Sequence, residues 1–96
     1  MKIYLISYDL SKPEQDYEGL ICEIKKFDCL HIQKSVWLVD TNFESNQIYL
    51  RLQSFVDKND KLFICPLDLS AIAFHTEDEK IKEWFSGHGY RLGTLK

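Results

Sequence analysis

The segment Ile3 to Tyr8 constrains the fold most, because it is apolar on both of its faces. Alternate residues of a strand point to opposite sides, so a strand with one buried face would alternate apolar and polar residues. Only Ser7 interrupts the apolar run, and Asp9 follows it directly. The pattern predicts a central strand, covered on one face by helices and on the other by a second layer or a partner.

The next segment of the chain has the pattern of a helix and then a pair of strands. Ser11-x-x-Glu14 has the spacing of a capping box, and helix-spaced apolar residues continue from Tyr17 to about Phe27. From Leu30 to Thr41 the residues are typical of strands, but Gln33-Lys34-Ser35 is polar. We therefore expect two short strands that meet at a tight turn or a bulge.

A second helix and a fourth strand complete the predicted core. Apolar residues recur at helical spacing from Ile48 to Val56, and Leu62 to Cys65 follow as a strand. Pro66 predicts an edge position for that strand, because proline has no N–H to donate. The order β-α-β-β-α-β predicts an α+β fold of the ferredoxin-like type, with both helices on one face of an antiparallel sheet.

We predict that the whole chain, residues 1–96, is one domain with its core in residues 1–68. Residues 69–96 are expected to add a fifth strand, Ala71 to Phe74, then a helix and a tail. That strand has a natural place on the sheet edge of a second copy, so a homodimer is expected. Thr76-x-x-Glu79 predicts the start of the last helix, and Gly87 its end.

The composition indicates a globular protein without a strongly basic surface. Apolar residues are 45% of the chain, and 12 Lys and Arg stand against 15 Asp and Glu. This argues against tight binding to a phosphate backbone by charge alone, although a bound metal could supply positive charge locally. Cys22, Cys29 and Cys65 show no Cys-x-x-Cys spacing, which predicts reduced core residues. Without a membrane span or signal peptide, a cytoplasmic location is expected.

Asp9 is the leading candidate for chemistry, because a carboxylate at the end of a strand can hold a hard metal ion. Mg²⁺ takes oxygen ligands and keeps several waters, so one or two carboxylates plus a substrate phosphate suffice. If two copies pair through the open face of the sheet, their Asp9 side chains could converge on one site. The alternative is that Asp9 only accepts hydrogen bonds at the strand-to-helix turn.

Other candidates surround the ends of the predicted strands. Ser35 could bond a carboxylate or a phosphate, although serine is also common in turns. Tyr8 and Trp37 could stack on a base, although a core role is favoured for both. Lys12 and Lys34 are candidate contacts to a nucleic acid. The three histidines, His31, His75 and His88, show no metal-ligand spacing and are expected to be surface or partly buried residues.

A family resemblance rests on three stretches: Tyr8-Asp9, Ile32-Gln33-Lys34-Ser35-Val36-Trp37, and the Asp60 to Leu67 strand. They resemble the CRISPR-associated protein two family, a dimeric ferredoxin-like group. Ser7-Tyr8-Asp9-Leu10, with Pro13 and Asp16-Tyr17, is more similar still to its stand-alone SinR-like relatives. The resemblance covers roughly residues 1–74 and leaves the last helix as an addition.

The resemblance implies a homodimer whose facing Asp9 residues bind magnesium or manganese, with Ser35 as the motif serine. Some members of the family cleave RNA or DNA, and others serve as a structural scaffold. The chain departs from the family pattern after Asp9, where the residues that are often basic are acidic or neutral. We therefore expect either a metal-dependent endoribonuclease or endodeoxyribonuclease, or a non-catalytic scaffold of the antitoxin or immunity type that binds a protein partner.

Overall fold

The computed structural model describes residues 2–11 and 17–88 of the chain. Its elements follow the predicted order of strand, helix, two strands, helix and strand, with a further helix at the end. They are β1 (Lys2–Asp9), α1 (Glu18–Ile24), β2 (Asp28–Gln33), β3 (Val36–Thr41), α2 (Ser45–Leu52), β4 (Lys61–Leu67) and α3 (Glu79–Gly87). Short 3-10 turns, Gln53–Phe55 and Leu69–Ala71, follow α2 and β4. The predicted α+β fold is confirmed.

The strands form one antiparallel sheet in the order β2-β3-β1-β4. β1 is flanked on both sides, with Leu5 opposite Leu38 of β3 and Cys65 of β4. This is the central position that its two apolar faces predict. β4 is an edge strand, so Pro66 can lie within it without costing the sheet an interior hydrogen bond.

The first face of the sheet packs against α1 and α2. Its buried side chains come from alternate positions of β1 and β3 and from the inner sides of the two helices: Tyr4, Ile6, Tyr8, Trp37, Val39, Leu20, Ile24, Ile48 and Leu52. Arg51 of α2 donates to Glu23 of α1 at 2.7 and 3.0 Å, which joins the helices over this core. This face holds the larger of the two hydrophobic clusters.

The second face is covered by α3. Ile81 and Phe85 of this helix pack against Ile3 and Leu38 of the sheet. The ring of Phe74, in the segment before α3, stacks on Phe85 with centroids 4.4 Å apart. The chain itself therefore supplies much of the second layer that the apolar first strand requires.

The residues predicted as a fifth strand, Ala71 to Phe74, do not form one. Asp68 caps the 3-10 turn after β4 by accepting from the main-chain N–H of Ser70 at 2.9 Å, and residues 72–78 have no regular secondary structure. The turn leads the chain off the edge of the sheet, and Ile72 and Phe74 pack within the core beneath α3 instead. Exchange of this segment with a second copy stays a prediction.

Two helix ends differ from the predicted ones. α1 ends at Ile24 rather than near Phe27, because the chain turns directly into β2. α3 is capped by Asp78, whose carboxylate accepts from the main-chain N–H two residues on, and not by Thr76. The predicted capping box of the first helix, Ser11 to Glu14, falls largely outside the described residues.

The three cysteines are free thiols. Cys29 and Cys65 are half-buried, and burial raises the pKa of the Cys29 thiol. Cys22 is exposed on α1, so the prediction that all three lie in the core is wrong for this residue.

Candidate functional site

Asp9 lies at the exposed end of β1, on the second face of the sheet. Uninterrupted pairing of β1 with β4 places it opposite Lys61. Side chains alternate along a strand, so Asp9 shares this face with Leu5 and Ser7. β1 therefore offers a single carboxylate at this end, and the predicted metal site would need the second from another copy of the chain.

The turn between β2 and β3 reaches the same end of the sheet. The carbonyl oxygen of Ser35 accepts from the main-chain N–H of Tyr8 at 3.1 Å. Lys34 is exposed in this turn. The structure thus brings Asp9, Ser35 and Lys34 to one end of the sheet, whereas Lys12 lies outside the described residues.

The loop that follows β1 is held by Asp60, a residue that was not among the sequence-based site candidates. Its Oδ1 accepts from the main-chain N–H and the hydroxyl of Ser11 at 2.8 and 3.0 Å and from the Tyr17 hydroxyl at 3.4 Å, and its Oδ2 accepts from the N–H of Asp57 at 2.8 Å. The N–H groups of Asp57 and Ser11 are the main reason that the pKa of Asp60 is lowered. Asp60 therefore acts as a structural anion beside the end of β1.

Tyr8 and Trp37 are buried on the first face of the sheet. The indole N–H of Trp37 donates to the hydroxyl of Tyr8 at 3.1 Å, and the ring of His31 stacks on Trp37 with centroids 4.1 Å apart. The hydrogen bond pairs both polar groups, and the His31 ring covers one face of the Trp37 ring. A base could stack on either ring only if this packing opened.

A second group of polar side chains, the Asp28–Asp40–His88 cluster, lies where α3 ends over β2 and β3. Asp28 and Asp40 are opposite each other in the pairing of these strands. His88 caps α3, and its Nε2 lies 2.7 Å from Asp28 Oδ2 and 3.6 Å from Asp40 Oδ2. One ligand atom from each of the three residues lies within 4.8 Å of the others.

Trp84, one helical turn before His88, supports two members of this cluster. Its carbonyl oxygen lies 2.6 Å from Nδ1 of His88, and its indole N–H donates to Asp28 Oδ1 at 3.2 Å. Since a carbonyl oxygen only accepts, Nδ1 carries a hydrogen and Nε2 is the ring atom turned to the carboxylates. The two rings are stacked with centroids 3.8 Å apart, which fixes the plane of the imidazole.

Electrostatics favour a cation in the Asp28–Asp40–His88 cluster. Burial opposes charge on the imidazole, but the hydrogen bond to Asp28, the Trp84 carbonyl and the negative charges of both aspartates together raise the pKa of His88. The hydrogen bond from His88 lowers the pKa of Asp28. Two carboxylates facing one imidazolium still leave one negative charge uncompensated.

Sequence reasoning missed the Asp28–Asp40–His88 cluster. His88 is partly buried, as predicted, but its partners lie 60 and 48 positions earlier in the chain. The signal available was Asp28 and Asp40 near opposite ends of two consecutive strands, which a tight turn would bring together. The position of α3 over them could not be inferred from spacing.

No known protein-family model matches this chain. Along residues 2–11 and 17–88, none of the helices combines the length and the apolar character needed to cross a membrane.

Proposed function

We propose that the protein is a ferredoxin-like homodimer related to the CRISPR-associated protein two family, nearest to its SinR-like relatives, and that it is a metal-dependent nuclease acting on RNA or DNA. The strand order β2-β3-β1-β4, with the first strand inside the sheet, supports the ferredoxin-like assignment. The observation that carries the proposal is the exposed Asp9 carboxylate at the end of the central strand, beside the Ser35 turn.

The surface around Asp9 supports association with a second copy. On β4, Phe63 lies opposite Ser7 and is 62% exposed, on the sheet face that also carries Asp9. Next to it a groove of about 280 Å³, lined by Leu5, Val36 and other apolar side chains, separates the sheet from the segment before α3. A large exposed aromatic beside an apolar groove favours a protein contact. A two-fold axis through this region would bring two Asp9 side chains face to face.

The chemistry follows from two carboxylates that share one ion. A hard divalent ion such as Mg²⁺ or Mn²⁺, when bound, polarises a phosphodiester and activates water. In this proposal the Asp9 oxygens would be the metal ligands, and Lys34, which is exposed at the same end of the sheet, would contact phosphate. The bound ion would also offset the net charge of -3, which by itself repels nucleic acid.

The test is Mg²⁺-dependent cleavage of single-stranded RNA and double-stranded DNA by Asp9→Asn, with Asp57→Asn as the matched control. Both changes remove one exposed carboxylate at the same end of the sheet. Loss of a metal ligand should lower the cleavage rate by more than about 100-fold, which exceeds the usual effect of groups that only support ligands. The control should cleave at the wild-type rate. Equal cleavage by wild type and Asp9→Asn would overturn the nuclease proposal.

Measuring the oligomeric state together with cleavage distinguishes a non-catalytic dimeric scaffold from a nuclease. Sedimentation should give a dimer for the wild-type protein and a shift toward monomer for Phe63→Ala. A stable dimer that shows no Asp9-dependent cleavage would favour the non-catalytic scaffold that binds a protein partner. The exposed residues Lys80 and Glu83 of α3 are then the positions to change in a binding assay, because deletion of the whole helix would expose the apolar side chains of the sheet that it covers.

A further inference from the structure

We propose that the Asp28–Asp40–His88 cluster is a binding site for a divalent transition-metal ion of the zinc class, which fastens the end of α3 to the sheet. The site lies at the opposite end of β1 from Asp9, since Asp40 pairs with Ile3. Asp9 lies six positions along the strand from Ile3, a distance of about 20 Å. This proposal is therefore independent of the proposed nuclease centre.

The donor atoms have a suitable arrangement. Zinc binds histidine nitrogen and carboxylate oxygen at about 2.0–2.2 Å, which places tetrahedral ligands about 3.3 Å from one another. Nε2 of His88 lies 2.7 Å from Asp28 Oδ2 and 3.6 Å from Asp40 Oδ2, on either side of that value. Small rotations of the two carboxylates would make room for an ion between the three atoms.

One carboxylate oxygen of Asp40 would gain a partner from a bound ion. The Asp40 side chain is 15% exposed, and its Oδ1 is buried with no hydrogen-bond partner among the described residues. A buried carboxylate oxygen without a partner is costly. A divalent ion bound between the two carboxylates would supply that partner.

The surroundings resemble the outer shell of a metal site. A ligating histidine usually donates its other ring N–H to a carbonyl or carboxylate, which sets the tautomer and orients the ring. Here the carbonyl of Trp84 accepts from Nδ1 of His88, and the indole N–H of the same residue supports Asp28. Trp84 thus supports two of the proposed ligands, His88 through its backbone carbonyl and Asp28 through its side chain.

The ligand types select the class of ion. Imidazole suits zinc and its neighbours, whereas magnesium and calcium prefer oxygen ligands alone. Three protein ligands leave one tetrahedral position for water. The C-terminal end of α3 is tied to the first residues of β2 by this site, so binding should stabilise the folded chain by linkage.

The experiment uses the untagged full-length chain, freed of metal by a chelator, and titrates it with Zn²⁺ and separately with Co²⁺. We expect one ion per chain by calorimetry, a visible absorption band of tetrahedral Co²⁺, and a rise in Tm with Zn²⁺ that Mg²⁺ at the same concentration does not give. The Co²⁺ band requires no variant, so it tests the site even if a substitution impairs folding.

Variants assign the ligands. Asp40→Asn and His88→Gln should each lower the affinity for Zn²⁺ by more than about tenfold, while His75→Gln, an exposed histidine before α3, should not. Circular dichroism without metal checks that each variant is folded. Absence of the Co²⁺ band in the wild-type protein, or equal Zn²⁺ affinity in wild type and Asp40→Asn, would overturn the proposal.

Discussion

Replacing Phe85 by alanine tests whether α3 is an integral layer of the fold. The Phe85 side chain is fully buried, packs with Ile81 of its own helix against Ile3 and Leu38, and stacks on Phe74. If α3 were only an addition to a complete domain, removing this side chain would change the free energy of unfolding little. If Phe85 fills the second core, removing it should cost as much stability as removing any central residue.

The expected loss of stability in Phe85→Ala comes from the apolar surface that is no longer buried and from the cavity that the variant leaves. Burying a phenylalanine contributes about 1.5–3 kcal/mol by transfer alone. The strands beneath Phe85 are held by hydrogen bonds to their neighbours, so they cannot collapse into the space, and Phe→Ala changes in such cores cost about 3–5 kcal/mol. Small domains have a free energy of unfolding of about 5–15 kcal/mol, so Phe85→Ala should remove at least about a fifth of the stability.

Urea denaturation followed by circular dichroism measures this loss, with Leu50→Ala as the control. Leu50 lies on α2 and is 59% exposed, so its truncation should change the free energy of unfolding by less than about 0.5 kcal/mol. A fall in stability with an unchanged m-value would mean that α3 unfolds with the sheet. If Phe85→Ala were as stable as the control, the assignment of α3 to the core would be wrong.

Three further outcomes are expected from urea denaturation of other variants. Tyr8→Phe leaves the buried indole N–H of Trp37 without its acceptor and should lower the free energy of unfolding by about 1–3 kcal/mol; an unchanged midpoint would contradict the role given to this bond. Main-chain N–H groups lower the folded-state pKa of Asp60, so its carboxylate stabilises the fold fully above its unfolded pKa of about 4, and this stabilisation is lost as the pH falls through the folded-state pKa. The difference in free energy of unfolding between wild type and Asp60→Asn should therefore be larger at pH 7 than at low pH. A difference that does not depend on pH would contradict this role of Asp60. In Gly19→Ala the new methyl would lie 2.7 Å from the ring of Phe55, so this variant should be less stable than the wild type. When Gly19→Ala is combined with Phe55→Ala, the change in the free energy of unfolding should differ from the sum of the two single changes.

Apart from the fifth strand at Ala71 to Phe74, which does not form, the elements and their order followed from the sequence alone, because local patterns carry them. The double apolar character of Ile3 to Tyr8 predicts an interior strand, and β1 lies between β3 and β4. The polar residues between Ile32 and Val36 predict a turn, and Lys34-Ser35 forms it. Each of these features depends on side-chain periodicity over a few residues, which the sequence displays directly.

The cover of the second sheet face was decided only by tertiary structure. Ala71 to Phe74 has the composition of a strand, but the turn capped by Asp68 takes it away from the edge of the sheet and places Phe74 against Phe85. The apolar composition of a segment predicts that it is buried, but not which part of the protein buries it. Long-range packing decides whether this segment pairs with a strand of the sheet or packs beneath α3.

The candidate sites divide in the same way. Asp9 could be proposed as a candidate from the sequence because it directly follows the apolar run Ile3 to Tyr8, and that relation is local. The Asp28–Asp40–His88 cluster arises from strand register together with the docking of a helix from the other end of the chain. Register and docking are set by the burial of apolar side chains elsewhere, so nothing within a few residues of His88 marks it as a partner of two aspartates.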